Sequence, residues 1–410
     1  MKTSAFVYPW DVIGDPGAAE RIAGLGVQQV TLASAYHSTR ALTPRHPRHR
    51  LVTAEYAAVL YPPDPARWAG RALAPYTAGD WAPDDAYGRA AEALEAAGLE
   101  VHSWVVLAHN SRLGAEHPGT SVVNAYGDRY PWAPCIAQDA VRAYLVELAA
   151  EAAVRPGASG TELESCGWYG MAHLHAHDKI GGVALGDAAQ YLMSLCFCPA
   201  CREGYAGQGL DPDTTAAAVR RALEPVWAGG DASGSGLPAV ERLIGAGLAA
   251  ATLAWRVQAA RTLQEAAVAA VRAAARGVSA DEEARPFQVL LHADPAPHRG
   301  GANVGVDPAH ILSLADGVVV PCTGGGADTV LPPFAEHAGP DSVLAANLTV
   351  VTGMGGAPAR LAEDAARAAA LGATELRLYH AGLASGPDLA AVTEALAALR
   401  RTDGAPAPGR

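Results

Sequence analysis

The feature that most constrains this chain is an alternation of short strand-like runs with helix-like runs. Eight aliphatic or β-branched runs recur along the 410 residues, at 4–8, 28–35, 101–108, 161–165, 287–292, 317–321, 343–348 and 375–379. Helix-like segments lie between or after them, at about 16–25, 84–97, 138–154, 238–276, 358–371 and 387–400. Strands that alternate with helices form parallel sheets with right-handed crossovers. Eight such units predict an α/β fold, the (β/α)8 TIM barrel.

A doubly wound open sheet has the same order of elements, so the polarity of the strands must decide. Polar residues repeat with a period of two in three runs: Glu162 with Glu164, Gln288 with His292 and Asp294, and Glu375 with Arg377 and Tyr379. The residues between them are mostly apolar and suit packing against helices. Both faces of an open parallel sheet are usually apolar, whereas the inside of a barrel can collect polar layers. The pattern favours the barrel.

Three connections are much longer than the usual 2–6 residues. They cover residues 37–81, 110–137 and 166–285, after the second, third and fourth strands. Each follows a strand and therefore lies at the carboxyl end of the barrel, where barrel active sites are found. We predict one barrel domain over residues 1–402, with an insertion at 166–285 and a flexible Gly/Pro-rich tail at 403–410.

Composition excludes several classes of protein. Half of the residues are apolar and 18% are charged, which allows a large core and excludes general disorder. The net charge of -12 argues against a nucleic-acid partner. No uncharged apolar stretch reaches 18 residues, so we expect no membrane span. The first residues lack the apolar core of a signal peptide, so we expect a cytoplasmic protein with reduced cysteines.

The fourth strand carries the strongest candidates for catalysis. Glu162 and Glu164 point the same way because strand side chains alternate, and Glu164 lies nearer the carboxyl end. A carboxylate there can act as a nucleophile or as a general acid or base. Repulsion between the two would raise the pKa of one and favour an acid role. The alternative for Glu162 is a buried structural residue paired with Arg377.

The fifth strand ends in a third candidate carboxylate. His292 and Asp294 share a face near the predicted mouth of the barrel. Asp294 could be the second member of a glycosidase carboxylate pair. The alternative is that Asp294 and Pro295 only turn the chain.

Polar or aromatic residues at nearly every strand end fit a site that binds many hydroxyl groups and stacks on sugar faces. The candidate substrate-binding residues at strand ends are Tyr8, Trp10, Asp11, His37, His109, Asn110, His292, Asn347 and Tyr379. Candidates in the insertion are Trp168, His173 and His175. His173, His175 and His177 could alternatively hold a metal or form a surface loop.

Three cysteines lie within six residues, Cys196, Cys198 and Cys201. Two of them have the Cys-x-x-Cys spacing of a zinc knuckle, so we predict structural zinc in the insertion. The fourth ligand would come from Cys166, Cys135 or a histidine. A packed cluster of reduced thiols is the alternative. A redox-active dithiol is less favoured because no thioredoxin-like context surrounds the motif.

These motifs together carry a resemblance to a known group. Residues 8–11 (Tyr-Pro-Trp-Asp), 162–164 (Glu-Leu-Glu) and 195–201 (Leu-Cys-Phe-Cys-Pro-Ala-Cys) resemble those of uncharacterised glycoside-hydrolase-like barrel proteins of bacteria. The chain as a whole is similar to alanine-rich conserved proteins of actinobacteria. The resemblance implies a (β/α)8 fold, action on a carbohydrate and a catalytic acid on strand four, at Glu164 or else at Glu162. Many retaining glycosidases of this fold also have a nucleophile at the end of strand seven, where this chain has Asn347 and no acid. Either Asp294 or Asp11 supplies the second carboxylate, or the mechanism differs.

Three functions follow from these observations. The first is a cytoplasmic glycosidase that acts on a small oligosaccharide or glycoside with Glu164 and Asp294. The second is a metal-dependent barrel isomerase or hydrolase that uses His173, His175, His177 and Asp294. The third is a carbohydrate-binding barrel without activity. The expected partner is a small-molecule carbohydrate, and a homo-oligomer is left open.

Overall fold

The structure is a computed structural model that describes residues 1–171, 178–230, 234–278 and 286–403. Eight strands form its barrel: β1 Lys2–Val7, β2 Gln29–Tyr36, β3 Glu100–Val106, β4 Ala158–Glu164, β5 Gln288–Asp294, β6 Gly317–Pro321, β7 Val343–Thr349 and β8 Glu375–Tyr379. Each strand pairs in parallel with the next one, and β8 pairs with β1. The predicted (β/α)8 TIM barrel is confirmed.

The predicted strand positions agree with the structure to within three residues. The largest difference is at β4, which begins at Ala158 rather than at residue 161. The first residues of β4 have little intrinsic preference for strands. They are held in the sheet by their neighbours, since Ala158 pairs with Val101 on one side and Gly160 pairs with Gln288 on the other.

The helices surround the barrel and fill the long connections. In chain order they are α1 Pro9–Val12, α2 Ala18–Ala23, α3 Pro65–Trp68, α4 Ala86–Ala96, α5 Ser111–Glu116, α6 Asp139–Ala153, α7 Asp187–Met193, α8 Pro199–Gly207, α9 Pro212–Trp227, α10 Gly236–Ile244, α11 Ala246–Val278, α12 Pro308–Leu314, α13 Ala327–Ala335, α14 Leu361–Ala370 and α15 Gly386–Asp403. Among the described residues, no helix is long and apolar enough to cross a bilayer.

The single long helix predicted at 238–276 is wrong, because the chain forms α10 and α11 there. Gly245 separates them with a φ of +84°, in the region that favours glycine. The longer member, α11, packs against α6 on the outside of the barrel. Its buried face includes Leu263, Ala267 and Val271.

The three long connections all lie at the carboxyl end of the barrel, as predicted. The connection after β2 contains a hairpin of Thr39–Leu42 and Leu51–Ala54. The connection after β3 contains a second hairpin, Ser121–Val123 with Arg129–Pro134. The connection after β4 contains α7 to α11. Of these segments, the first hairpin strand Thr39–Leu42 reaches the barrel mouth, together with His37, His109 and Tyr169.

Candidate active site

A cavity of about 870 Å³ opens at the carboxyl end of the barrel. Residues at the ends of all eight strands, or just after them, line it: Tyr8, Tyr36, His37, His109, Glu164, His292, Asp294, Pro321, Asn347, Thr349 and Tyr379. Glu164, His292, Asp294, Asn347 and Tyr379, which the sequence places at or near strand ends, therefore share one mouth. A cavity of this size suits a ligand of a few rings.

A cluster of aromatic rings forms the floor of this cavity: Tyr8, Tyr36 and Tyr379 line it, and Phe6 and Trp104 lie beneath them. The Phe6 ring lies edge-on to Trp104, with centroids 4.7 Å apart, and to Tyr379, with centroids 5.5 Å apart. Above them, the Tyr8 hydroxyl donates a hydrogen bond of 3.0 Å to the Tyr36 hydroxyl. The Tyr8 ring stacks on Trp10, 4.6 Å away. The floor is therefore closely packed, and it leaves phenol groups facing the ligand space.

Glu164 is the carboxylate at this floor. It is the last residue of β4 and is 8% exposed. The Trp104 indole Nε1 donates a hydrogen bond of 2.8 Å to Glu164 Oε2, which fixes the orientation of the carboxylate. The next residue, Ser165, is buried and has a φ of +54°. A left-handed serine costs on the order of 1 kcal/mol, and its position beside Glu164 is typical of a functional site.

Asp294 ends β5 and is a second carboxylate of the cavity lining. Its Oδ1 accepts a hydrogen bond of 2.8 Å from the Ala296 backbone N–H, so the turn expected from Asp294 and Pro295 is also present. Burial raises the pKa of Asp294, while the Ala296 N–H and Arg299 act in the opposite direction. A carboxyl group with a raised pKa is suited to donate a proton.

One wall of the cavity is a row of stacked rings. The His37 ring lies 4.5 Å from the His109 ring, which stacks on Tyr169 at 4.6 Å with an angle of 17° between the planes. Burial lowers the pKa of His37, and the charge of Glu164 partly opposes that effect. Flat rings at a cavity wall suit the apolar faces of sugars.

Glu162 does not line the cavity, contrary to its prediction as a catalytic residue. It is fully buried within the barrel, where Arg377 Nε donates to its Oε1 and Thr31 Oγ1 donates to the same oxygen at 3.0 Å. Burial alone would raise its pKa, but Arg377 and His292 outweigh this effect and lower the pKa of Glu162 to about 2. The structural alternative, pairing with Arg377, is the arrangement observed.

Four predicted substrate-binding residues lie outside the cavity, because local contacts use their polar groups or turn them away. Trp10 is buried beneath Tyr8 in α1. Asp11 Oδ2 accepts from the Tyr8 backbone N–H at 2.8 Å. Asn110 Oδ1 caps α5 by accepting from the Leu113 N–H at 3.0 Å. Trp168 Nε1 donates to the Arg256 carbonyl at 2.7 Å. The predicted residues His173 and His175, with His177, lie outside the described residues.

Asp11 provides a test of this placement through pH. Burial raises its pKa from 3.8 to about 7, with the Tyr8 N–H and Arg45 opposing. The unfolded chain therefore loses this proton at lower pH than the folded protein, so the contribution of Asp11 to stability falls as pH rises from about 4 to 7. We expect Asp11→Asn to raise the free energy of unfolding at pH 8, by up to about 4 kcal/mol, and to change it little at pH 4.

Urea unfolding of both proteins at pH 4, 6 and 8 measures this difference. Because asparagine can still accept the Tyr8 N–H bond, the capping geometry of α1 is retained. Identical pH slopes for the two proteins would contradict the buried placement of Asp11.

Tyr169 and Asn303 of the cavity lining, and Trp104 behind it, were not singled out from the sequence. Trp104 could have been found, because it occupies an inward position of β3, two residues from His102 and Val106. Tyr169 and Asn303 gave no such signal, since both lie in irregular loops. Their positions depend on how the insertion and the segment after β5 fold over the barrel.

The four cysteines Cys135, Cys196, Cys198 and Cys201 form one buried cluster. Cys135 Sγ lies 3.5 Å from Cys198 Sγ and 3.6 Å from Cys201 Sγ, and all four sulfurs lie within 4.8 Å of one another. Four thiolates bound to one zinc at 2.3 Å would be about 3.8 Å apart. The Val123 and Cys198 backbone N–H groups both donate to Cys196 Sγ at 3.4 Å. Four cysteine sulfurs at this spacing fit a metal ion with tetrahedral coordination.

Comparison with known proteins gives similarity in structure only. No protein-family profile and no curated protein match the sequence. The α-L-fucosidase isoenzyme 2 of Paenibacillus thiaminolyticus aligns with 98% of this chain and 50% of its own, at a TM-score of 0.57 and 12% identity. The PgaB (BpsB) glycoside hydrolase domain of Bordetella bronchiseptica aligns with 97% of this chain and 99% of its own, at a TM-score of 0.57 and 15% identity.

A β-galactosidase of Rahnella sp. R3 aligns with 98% of this chain and 56% of its own, at a TM-score of 0.55 and 10% identity. These three structures share the (β/α)8 barrel fold with this chain. The chain spans about half the length of the fucosidase and the β-galactosidase and nearly all of the Bordetella domain. At these identities the similarity establishes the fold, and the expected likeness to glycoside-hydrolase-like barrels is confirmed at that level.

Proposed function

We propose that the protein is a glycoside hydrolase that acts on a small oligosaccharide or glycoside in the barrel cavity. The observation that carries this proposal is Glu164, a carboxylate oriented by Trp104 on an aromatic floor. Carboxylates of this kind catalyse glycoside hydrolysis in pairs. Glu164 and Asp294 are the carboxylates of the lining among the residues that the structure describes.

The environments of the two carboxylates suggest different roles. Asp294, whose pKa is raised by burial, donates its proton to the leaving oxygen as the bond from the anomeric carbon breaks. Glu164 either attacks the anomeric carbon or takes a proton from the attacking water. If Glu164 attacks, water then hydrolyses the glycosyl–Glu164 bond and gives its proton to Asp294. If Glu164 acts as base, it takes the proton of the attacking water, and proton exchange with solvent restores both carboxyl groups. The Asp294-to-Glu164 separation decides between the routes.

Unused hydrogen-bond acceptors support a polyhydroxyl ligand. Asn347 Oδ1 and Asn303 Oδ1 are buried, face the cavity region and have no hydrogen-bond partner among the described residues. A buried acceptor without a partner costs about 1–3 kcal/mol. A sugar hydroxyl would remove that cost by donating to it.

The experiment is a screen of purified protein against 4-nitrophenyl glycosides and a set of disaccharides. Sugar binding is measured in parallel by calorimetry. Turnover of one substrate class supports the proposal. Binding without turnover supports a carbohydrate-binding barrel instead, and the absence of both overturns the assignment.

A metal-dependent isomerase or hydrolase has less support. Among the described residues, the four-cysteine cluster is the group of His, Cys, Asp or Glu that could hold a metal ion. Four sulfur ligands fill a tetrahedral zinc site and leave no position for a substrate. A metal in this cluster would be structural.

We also propose that this cluster binds zinc. Cys135 follows the hairpin after β3, and the other three cysteines lie in the insertion after β4, so an ion would fasten two connections together. We expect Cys135→Ser to lower zinc from one ion per chain to a small fraction, because serine does not replace a thiolate ligand. Mass spectrometry of metals, on protein purified without added zinc, measures this.

Cys166→Ser is the matched control, since Cys166 is also buried but lies outside the cluster. It should leave the zinc content unchanged. Wild-type protein without metal would refute the zinc proposal and leave the packed thiols.

A further inference from the structure

Arg256 of α11 is a buried cation without an ion-pair partner among the described residues. Its side chain is 3% exposed, and it forms no ion pair or side-chain hydrogen bond with any described residue. The guanidinium lies between two rings, 5.4 Å from the Trp168 centroid and 5.0 Å from the Tyr191 centroid. Rings stabilise a cation only by about 1–2 kcal/mol. Burial of a charge without a counter-charge costs several times more.

A small cavity lies directly beside this guanidinium. Its volume is about 70 Å³, and its lining includes Arg256, His298, Arg299 and Ser194. That space equals about two water molecules at about 30 Å³ each. It is enough for a small tetrahedral group and too small for a sugar ring.

The charged residues that line the cavity leave an excess of positive charge, although Cys201 and Cys196 of the cysteine cluster also lie close enough to interact with Arg256. Asp187 is the acidic residue of its lining, and its Oδ2 lies 3.0 Å from His298 Nε2 while its Oδ1 lies 3.4 Å from Arg299 Nη1. Both carboxylate oxygens of Asp187 are therefore paired with His298 and Arg299 and not with Arg256. Arg256 Nε and Nη1, together with His298 Nδ1, are buried without a hydrogen-bond partner among the described residues.

We propose that this cavity binds a tetrahedral oxyanion, a phosphate or a sulfate group. Arg256 would supply the buried positive charge, and Arg299 would close the site from the loop after β5. Planar guanidinium groups match the oxygens of such anions well. The group could be a free anion or an ester on the substrate, because Arg299 and Gly300 line both this cavity and the larger one. Only the second source depends on the proposed function.

Calorimetry with inorganic phosphate and with sulfate tests the site directly. We expect saturable binding to the wild type and at least a tenfold weaker affinity in Arg256→Met, since a charged hydrogen-bond donor is lost. Arg299→Gln is the second variant, because Arg299 is half exposed and its replacement should leave the fold intact. It should also weaken binding. Arg360→Gln, an exposed arginine far along the chain in contact with Glu363, is the control and should bind as the wild type does.

A second arm distinguishes the two sources of the anion. It compares binding of a 4-nitrophenyl glycoside 6-phosphate with that of its unphosphorylated parent. Preference for the phosphorylated compound, lost in Arg256→Met, identifies an ester of the substrate. Phosphate binding without this preference identifies a free anion, whether or not any glycoside is hydrolysed.

Two results would overturn the proposal. One is absence of phosphate and sulfate binding to the folded wild type. The other is unchanged anion binding in Arg256→Met accompanied by a loss of bound metal, which would make Arg256 a counter-charge of the cysteine cluster instead.

Discussion

Replacing Glu164 with glutamine is expected to abolish nearly all glycosidase turnover while the melting temperature hardly changes. Glutamine keeps the shape of the side chain, and its carbonyl can still accept the Trp104 Nε1 hydrogen bond of 2.8 Å. It can neither ionise nor exchange an acidic proton. General acid–base catalysis contributes about 10²–10⁴-fold, so kcat should fall by at least that factor. The measurement is kcat on the best substrate of the screen, with thermal unfolding of both proteins.

Asp294→Asn provides a control for the division of roles. A variant without its general acid should hydrolyse 2,4-dinitrophenyl glycosides, whose leaving group needs no proton, nearly as fast as the wild type. Its turnover of alkyl glycosides should fall steeply. Glu164→Gln should lose activity on both kinds of substrate. Activity of Glu164→Gln equal to that of the wild type would refute the assignment of Glu164 as a catalytic carboxylate.

Arg377→Met is expected to produce the largest loss of stability. Arg377 is fully buried and pairs with Glu162 through Nε and with Glu375 through Nη1, the latter at 2.8 Å. Removal of one partner from a buried ion pair leaves an uncompensated charge and costs about 3–5 kcal/mol. Chemical unfolding at pH 7 measures this loss. Arg367→Met, which breaks an exposed pair with Asp328, is the control and should cost at most about 1 kcal/mol.

The same pair gives the wild type a defined response to acid. Its partner charges lower the pKa of Glu162 from 4.5 to about 2, so the folded protein resists protonation there. The stability that this residue contributes is present above pH 4.5 and is lost as pH falls toward 2. In Arg377→Met this contribution should disappear. Equal stabilities of Arg377→Met and Arg367→Met would refute the role of the pair.

The order of elements and the position of the site were predictable from the sequence for a physical reason. Strand and helix periods are local properties, and parallel closure brings all carboxyl ends of the strands to one mouth. Glu164, Asp294 and Asn347 therefore could be placed together although 183 residues separate the first from the last.

The predicted site residues that lie outside the cavity were misplaced because of the local structure that follows each strand. Trp10 and Asp11 follow β1 but belong to the short helix α1, which directs them away from the cavity. Asn110 became a helix cap. Trp168 binds a carbonyl of α11, which is 88 residues away. Such contacts form only when distant segments of the chain meet, so no local sequence pattern predicts them. Cys135 could be named only as one of several candidates for the same reason.

The pairing of β1 with β8 also has a consequence for how the chain is made. Lys2 pairs with Glu375, which is 373 residues later in the sequence. At a ribosomal rate of about 5–20 residues per second, the partner of β1 emerges about 20–75 s after β1 itself. During this time, β1 has one open edge and the nascent sheet cannot close. Open edges invite pairing with other chains, so the interval before β8 emerges is when the growing polypeptide is most exposed to aggregation and most dependent on chaperones.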